Sequence, residues 1–375
     1  MNDAITFVGM DTSKTTIHVA ALIPGREGVW EHQLPNEPTA VRRLFRKLDR
    51  ESPGEVRYCY EAGPCGYVLQ RQIEKLGARC DVVAPSLIPV KPGDRIKTNR
   101  RDARKLAEAL RGEMLTPVHP PTPEEEAVRG LCRARGALVT DRHRARQRIM
   151  KFLLQRGMGW TRGRAWTIAY RGWVRKLAWE HTADRMVFSD LLLGLDHAEE
   201  RLKQMESKLE ETAQEEPYRE RVGWLRCFRG IDTLTAMTIL TELHDPSRFP
   251  TPRALMAYLG LVLSEYSTGD KEHRGGITHA GNGRARSSLV EASWHYRHKP
   301  SVQGKLLRRR QGQPAWVLAI ADRAQLRLHK RYWSLVLRGK LPVKAVTAVA
   351  RELTGFIWAV LQGPEVWGED VAIQN

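Results

Sequence analysis

The sequence predicts an α/β layer followed by all-α segments, and three observations carry that reading. The first 112 residues alternate short β-prone runs with amphipathic helical ones. Prolines then cluster at Pro117, Pro120, Pro121 and Pro123. Beyond them, apolar residues recur at helical spacing. A chain of 375 residues exceeds one compact core in most folds. The expected division is an α/β domain over 1–112, a linker over 113–124, a basic helical and coiled-coil region over 125–217, and a mostly helical domain over 218–375.

In the first domain, Ile5 to Met10 is apolar and β-prone and ends at the turn-rich Asp11-Thr12-Ser13-Lys14. Thr16 to Leu22 and Val29 to Leu34 read as further strands, so the three form an antiparallel meander. Val41, Leu44, Phe45 and Leu48 have helical spacing. Val56 to Tyr60 is a strand, Tyr67 to Leu76 a helix, Cys80 to Val83 a strand and Asp102 to Leu110 a helix. Three strands, helix, strand, helix, strand, helix is the ribonuclease H-like order, an α/β layer fold.

The second part is basic. From Arg129 to Lys151 arginines recur at helical spacing, including Arg142 and Arg146. Residues 156–180 interleave Trp160, Trp166, Tyr170, Trp173 and Trp179 with arginines, which suits stacking on bases or a hydrophobic anchor. Leu191, Leu195, Ala198, Leu202, Met205 and Leu209 form a heptad seam, read as an intramolecular hairpin or a dimer contact. Phe228-Arg229-Gly230-Ile231-Asp232 resembles the turn of a helix-hairpin-helix, with Asp232 where a second glycine would present backbone N–H groups to a phosphate, and it reads equally as a purely structural hairpin.

Lys and Arg total 61 against 43 acidic residues, a net charge of +18. Such an excess points to polyanions, because phosphate neutralisation supplies most nonspecific nucleic-acid affinity. The five cysteines are scattered without a C-x-x-C pair, which argues against a disulfide framework or zinc site. No secretory segment or membrane-length apolar run is read, so a soluble, cytoplasmic protein is expected.

Asp11 and Glu61 each stand where a strand ends, and Asp102 opens a helix after Lys97-Thr98-Asn99-Arg100-Arg101. With the first and fourth strands as neighbours, Asp11 and Glu61 converge, and the last helix can add Asp102. Hard oxygen ligands of this kind suit Mg²⁺ or Mn²⁺ and phosphodiester chemistry. Individually, Asp11 reads equally as a turn former and Asp102 as a first-turn residue favouring the helix dipole.

Residues 258–294 read as a long Gly-rich, cationic loop between helices, containing Ser264, Ser267, Thr268, Lys271 and Arg274. A hydroxyl there can attack a phosphodiester and conserve its energy as an ester. Arg274, Arg284 or Arg286 can hold the non-bridging oxygens. With Lys97, Arg100, Arg101, Arg142, Arg146 and Lys271, these form the expected nucleic-acid contacts. His295 and His298 are read as surface residues, and Arg308-Arg309-Arg310 as a phosphate contact or a solvated face.

Several motifs together resemble one family: Val8-Gly9-Met10-Asp11-Thr12-Ser13-Lys14, Tyr60-Glu61-Ala62-Gly63-Pro64, Lys97 to Ala103, Tyr266-Ser267-Thr268-Gly269, Gly276 to Asn282, and the tail residues Arg338-Gly339-Lys340 and Ala350-Arg351-Glu352-Leu353. The chain resembles insertion-sequence transposases of the bridge recombinase kind, which combine a DEDD RuvC-like domain with a catalytic serine. The resemblance implies Mg²⁺-binding acids and a 5′-phosphoserine link. It also implies a structured non-coding guide RNA that pairs with donor and target DNA, and dimers assembling to tetramers. Asn99 departs from the family's third acid, so Asp11, Glu61, Asn99 and Asp102 form the expected metal set with one charge fewer. Counting from Tyr266 points to Thr268 as nucleophile and counting back from Gly281 to Ser267; the less hindered primary alcohol of Ser267 is preferred, with Ser264 third. The alternatives are a junction nuclease that leaves no covalent adduct, and a nucleic-acid-binding relic without catalysis.

Overall fold

The computed structural model describes residues 4–89, 98–268 and 271–364. The chain divides into two compact units, Met1–Pro121 and Thr122–Asn375.

The first unit contains β1 (Thr6–Thr12), β2 (Thr16–Leu22), β3 (Trp30–Pro35), α1 (Pro38–Glu51), β4 (Val56–Glu61), α2 (Val68–Lys75), β5 (Arg79–Val83) and α3 (Asn99–Arg111). The sheet order is β3-β2-β1-β4-β5. β1, β2 and β3 form the antiparallel meander, while β4 runs parallel to β1 and β5 parallel to β4. Strand alternation divides the side chains between two faces. Val8, Met10, Tyr58 and Tyr60 join Val41, Leu44 and Leu48 of α1 in the larger core. On the other face, Ala20 packs with Ala103 and Ala107, and Cys59 and Val83 pack with Leu106 of α3. Gly9 makes that approach feasible, because a Cβ there would stand 2.2 Å from the Ala103 carbonyl oxygen.

The stretch expected as a linker is partly structured. Residues 116–118 run along β5, where the Ala84 N–H donates to the Thr116 carbonyl and the Val118 N–H to that of Val82. Such pairing covers an otherwise open sheet edge. Thr122 then starts the next helix through a capping box with Glu125.

The second unit begins with α4 (Pro123–Gln155), α5 (Ile168–Arg175) and α6 (Thr182–Thr212). α6 packs on α4, burying Leu195, Ala198, Leu202 and Leu209. The ion pairs Arg135–Glu206, Arg146–Glu199 and Arg156–Asp184 advance along one helix as they retreat along the other, so the two are antiparallel. The heptad seam therefore faces a helix of its own chain. Trp160, Trp166, Trp173 and Trp179 pack around Phe152, Tyr170 and Phe188, which makes them the anchor of this hairpin. Arg146 is likewise internal: with Arg171 it holds Glu199, and it stacks over Trp166.

The unit continues through α7 (Tyr218–Leu225), α8 (Thr233–Leu243), α9 (Pro252–Tyr258), β6 (Leu263–Glu265), β7 (Arg274–Ile277), α10 (Gly283–Ser293), α11 (Gly304–Arg310), α12 (Ala315–Leu337) and α13 (Pro342–Leu361). α13 is buried through Ala345, Val349, Leu353 and Ile357 in the same core as Leu240 of α8 and Leu289 of α10. Phe228 to Asp232 does join two helices. The Asp232 carboxylate accepts from the Thr235 N–H at 2.8 Å, so it caps α8 where a bare hairpin would offer that amide to a phosphate. Arg310 is buried against the Cys227 carbonyl and Asp322, so the triple-arginine run is in part structural. Among the described residues no helix is long and apolar enough to cross a membrane.

Candidate active site

The candidate residues fall in two clusters, one in each unit. In the first, Met10 of β1 is level with Tyr60 of β4, so Asp11 and Glu61 are successive positions on parallel neighbouring strands. By alternation Asp11 shares a face with Gly9, and Glu61 with Cys59; both are on the face that α3 covers. Both acids are half-buried. Asp102 stands in the first turn of α3, with Lys105 Nζ 3.6 Å from its Oδ1. Asn99 is the exposed first residue of α3, and Thr98 caps the helix by accepting from the Arg101 N–H.

The donor set suits a hard divalent cation: two carboxylates at adjacent strand ends, with a third carboxylate and an amide oxygen on the helix over the same face. The carboxylates are not drawn into one closed cluster, since among the described residues no three His, Cys, Asp or Glu side chains form a metal-binding group. Asp11 and Glu61 are the pair that strand register itself brings together.

The basic residues beside this face are unevenly placed. Arg100 and Arg104 both pair with Glu31 of β3, and Arg100, first by its hydrogen bond, holds that carboxyl below the usual range. Arg100 is thus tied to the sheet. Arg101 is exposed, and Lys97 lies outside the described residues.

The second cluster corrects the picture of a long irregular loop. Residues 263–277 form a β-hairpin, with β6 antiparallel to β7. The Tyr266 N–H donates to the His273 carbonyl, and Thr268 and Lys271 exchange backbone hydrogen bonds. Ser267 and Thr268 are therefore exposed, beyond the paired strands; Gly269 and Asp270 lie outside the described residues. Ser267 Oγ donates to Glu265 Oε1 at 2.9 Å. The i, i+2 spacing makes that contact natural, because both side chains leave one side of an extended chain. Arg274 reaches Glu265 at 3.8 Å and Glu272 at 3.0 Å. Ser264 Oγ is turned away, donating to the Gly276 carbonyl at 3.1 Å.

Below the hairpin lies a tightly fitted base. Gly260 and Gly281 both have positive φ; a Cβ on Gly260 would stand 2.1 Å from the Ala280 oxygen, and one on Gly281 would stand 2.0 Å from the Tyr258 oxygen. Asn282 caps α10 through its oxygen, and its Nδ2 donates to Glu242 Oε2 at 2.8 Å. Glu242 is only 2% exposed and also receives a two-pronged bond from Arg133, both arms 2.8 Å. Burial pushes the Glu242 carboxyl up, but Arg133 and Asn282 outweigh it and hold it below its ordinary value. Arg286 donates to the Leu259 carbonyl at 2.8 Å, so it braces the same base. Arg284 is exposed beside Gly136 of α4. Arg142 is on α4 with Thr140 and His143, and desolvation followed by the charge of Arg146 lowers its pKa.

Sequence reasoning missed Glu265 and the Arg133–Glu242–Asn282 network. The available signals were a Glu two residues before the serine, and a lone acid inside the apolar run Leu234 to Leu243.

Both clusters coincide with known transposase regions. Residues 8–157 match a DEDD-type transposase family, and residues 224–307 match the family described as transposase IS116/IS110/IS902. The chain is 40% identical to the putative transposase y4qE of Sinorhizobium fredii, over 94% of this chain and 88% of that one. It is 36% identical to the transposase for insertion sequence element IS1533 of Leptospira borgpetersenii, over 90% of this chain and 99% of that one. A more distant relative is the transposase for insertion sequence element IS1111A of Coxiella burnetii, 26% identical over 72% of this chain and 68% of that one. An α/β unit with acids at adjacent strand ends, joined in sequence to a helical transposase unit, defines an enzyme that acts on DNA as a transposase. The chain belongs to the IS116/IS110/IS902 family of transposases. The five-stranded mixed sheet and its order are consistent with a RuvC-like first unit.

Proposed function

We propose that this transposase cuts and rejoins donor and target DNA through a phosphoserine intermediate on Ser267. The observation that carries the choice of residue is the hydrogen bond from Ser267 Oγ to Glu265 Oε1 at 2.9 Å. It gives the hydroxyl proton a destination. In the forward step Ser267 Oγ attacks the phosphorus and its proton passes to Glu265. The bond from phosphorus to the 3′ oxygen breaks, and that oxygen takes a proton from solvent. A new 3′ hydroxyl then reverses the step on the other strand. Thr268, whose backbone is engaged with Lys271, carries the more hindered alcohol. Lys271, Arg274 and Arg284 hold non-bridging oxygens, while Arg286 positions the base of the hairpin.

Asp11, Glu61 and Asp102, with Asn99 as a neutral oxygen donor, would hold Mg²⁺ or Mn²⁺. Such a cation, when bound, polarises a phosphodiester and stabilises charge on its oxygens. Arg101, Arg142 and Lys97 contact backbone phosphates. A structured non-coding guide RNA pairs with donor and target, so that base pairing selects sequence while the protein reads backbone and shape. The chain works as dimers that assemble to tetramers. Since the α6 seam is spent on α4, the dimer contact falls elsewhere. Within the second unit, 125–217 serves RNA and DNA backbone, and 218–375 carries the nucleophile.

The test is trapping of a covalent adduct. The full chain, its flanking element RNA, labelled donor and target duplexes and Mg²⁺ are combined, then denatured. Protein-linked DNA that disappears with Ser267→Ala and Asp11→Ala but persists with Thr268→Ala is expected. Cleaved DNA with no adduct in any lane would remove the serine mechanism and leave a nuclease.

A further inference from the structure

A cleft of about 490 Å³ lies beside the α7–α8 turn, lined by Arg229, Gly230, Asp232, His295, Lys305 and Arg309 among others. It is concave and cationic. Three permanent cations face one carboxylate, and that carboxylate is already committed to the Thr235 amide.

The walls are fixed. Gly230 has φ of 82°, and a Cβ there would stand 2.4 Å from the Ala292 oxygen, so the turn is pressed against the end of α10. Arg229 Nη1 donates to the carbonyls of His298 and Lys299 at 3.2 and 2.7 Å. Arg309 Nη1 donates to the Ile231 carbonyl at 2.7 Å. Both guanidinium groups are thus anchored by neutral oxygens, which orient them without cancelling their charge. Arg309 Nε is sealed from solvent and has no hydrogen-bond partner among the described residues.

The titration directions agree. Burial, then the charge of Arg226, lowers the Arg309 pKa. Burial, then the charge of Arg229, lowers that of His295. Burial is the larger cause in both, and neighbouring cations add to it, while Asp232 opposes the effect at Arg309. Ser301, Gln303 and Lys305 add polar groups around the cleft, and Lys305 is exposed.

We infer that this cleft binds a backbone phosphodiester of a nucleic acid, with the anchored Arg229 and Arg309 guanidinium groups on its oxygens and Lys305 at the rim. A phosphodiester supplies oxygen acceptors and a negative charge. The cap role of Asp232 is what separates this site from a bare helix-hairpin-helix: the arginines, not the turn amides, take the phosphate. The inference rests on the reading that the chain handles nucleic acid, and it adds a contact separate from the hairpin.

The test is a salt titration of binding by the full chain, with a duplex DNA and a hairpin RNA as separate probes. Lys305→Glu is the first variant, since Lys305 is exposed and its replacement leaves the core intact. Lys75→Glu at the end of α2, the same charge change at an exposed residue outside the nucleic-acid-binding regions, is the control. Arg309→Gln, checked by its melting temperature, is the second variant. Lys305→Glu is expected to weaken binding by about tenfold or more at ~0.1 M salt, and to make the log affinity–log salt slope shallower by about one. The control should change affinity less than about threefold. Loss on the duplex alone assigns the site to DNA, loss on the hairpin alone assigns it to RNA, and loss on both assigns it to the shared backbone. Variants that match the control on both probes overturn the site. A parent chain that binds neither probe overturns the nucleic-acid reading as well.

Discussion

The acids of the first unit and the hydroxyls of the second are held in opposite ways. Asp11 and Glu61 are on neighbouring strands of a sheet with cores on both faces, and their positions follow from strand register. Ser267 is at the exposed end of a two-stranded hairpin, and its side-chain partner among the described residues, Glu265, is two residues away. Under the proposed mechanism, acids that share a cation gain from rigid preorganisation, and a nucleophile that reaches a phosphorus and later releases it gains from a projecting support on a fixed base. The glycine interlock of Tyr258–Gly260 with Ala280–Asn282, tied by Glu242 and Arg133, supplies that base.

If the base is what fixes the hairpin, Gly281→Val should be the most damaging change. A side chain there meets the Tyr258 oxygen at 2.0 Å on a backbone of φ 82°, so a loss of more than about 3 kcal/mol is expected in denaturant unfolding. Gly276→Ala meets nothing within 4 Å and should stay within about 0.5 kcal/mol. Equal losses at the two positions would erase the contrast between base and hairpin.

The hairpin itself is sharpened by Glu265→Gln. Removing the proton acceptor while keeping an oxygen should slow adduct formation by about 30-fold, equal to ~2 kcal/mol. An unchanged rate would make Glu265 only a hydrogen-bond partner.

The α4–α6 hairpin offers a pH test. The hydrogen bond from Arg171, joined by that from Arg146, lowers the Glu199 carboxyl to about 2. A carboxyl lowered on folding contributes stability above its unfolded value near about 4.3, and that contribution is lost as pH falls toward 2. Tryptophan fluorescence should therefore report acid loosening between those limits, on the order of 2 kcal/mol. Glu199→Gln should be less stable at neutral pH and flatter below it. A parent-like acid profile in that variant would contradict the pairing.

The smallest effect is expected at Asn99→Asp. Restoring a charge among the acids should tighten Mg²⁺ dependence several-fold, about 1 kcal/mol. An unchanged Mg²⁺ titration would show that Asn99 is no ligand.

The β1-β2-β3 meander was legible in the sequence because alternation and turn residues are local signals, and the ribonuclease H-like order of elements then made β1 and β4 neighbours, with Asp11 and Glu61 at their ends. The hairpin over 263–277 was not. Its strands are short, β7 begins Arg274-Gly275-Gly276, and no buried face imposes a period-two pattern. Individual arginines were also illegible. Arg146 and Arg142 are four residues apart on one helix, yet Arg146 is held by Glu199, a residue 53 positions away. Only tertiary structure decides which cations are spent internally. Residues 116–118 escaped for the same reason: prolines mark a break, not the sheet edge that the chain then follows.

The most direct measurement is to trap the adduct, digest its DNA to a single nucleotide and map the modified residue by mass spectrometry. The account predicts a phosphonucleotide on Ser267. Attachment to Thr268 or to a residue outside the hairpin, or cleaved DNA with no modified residue, would contradict it.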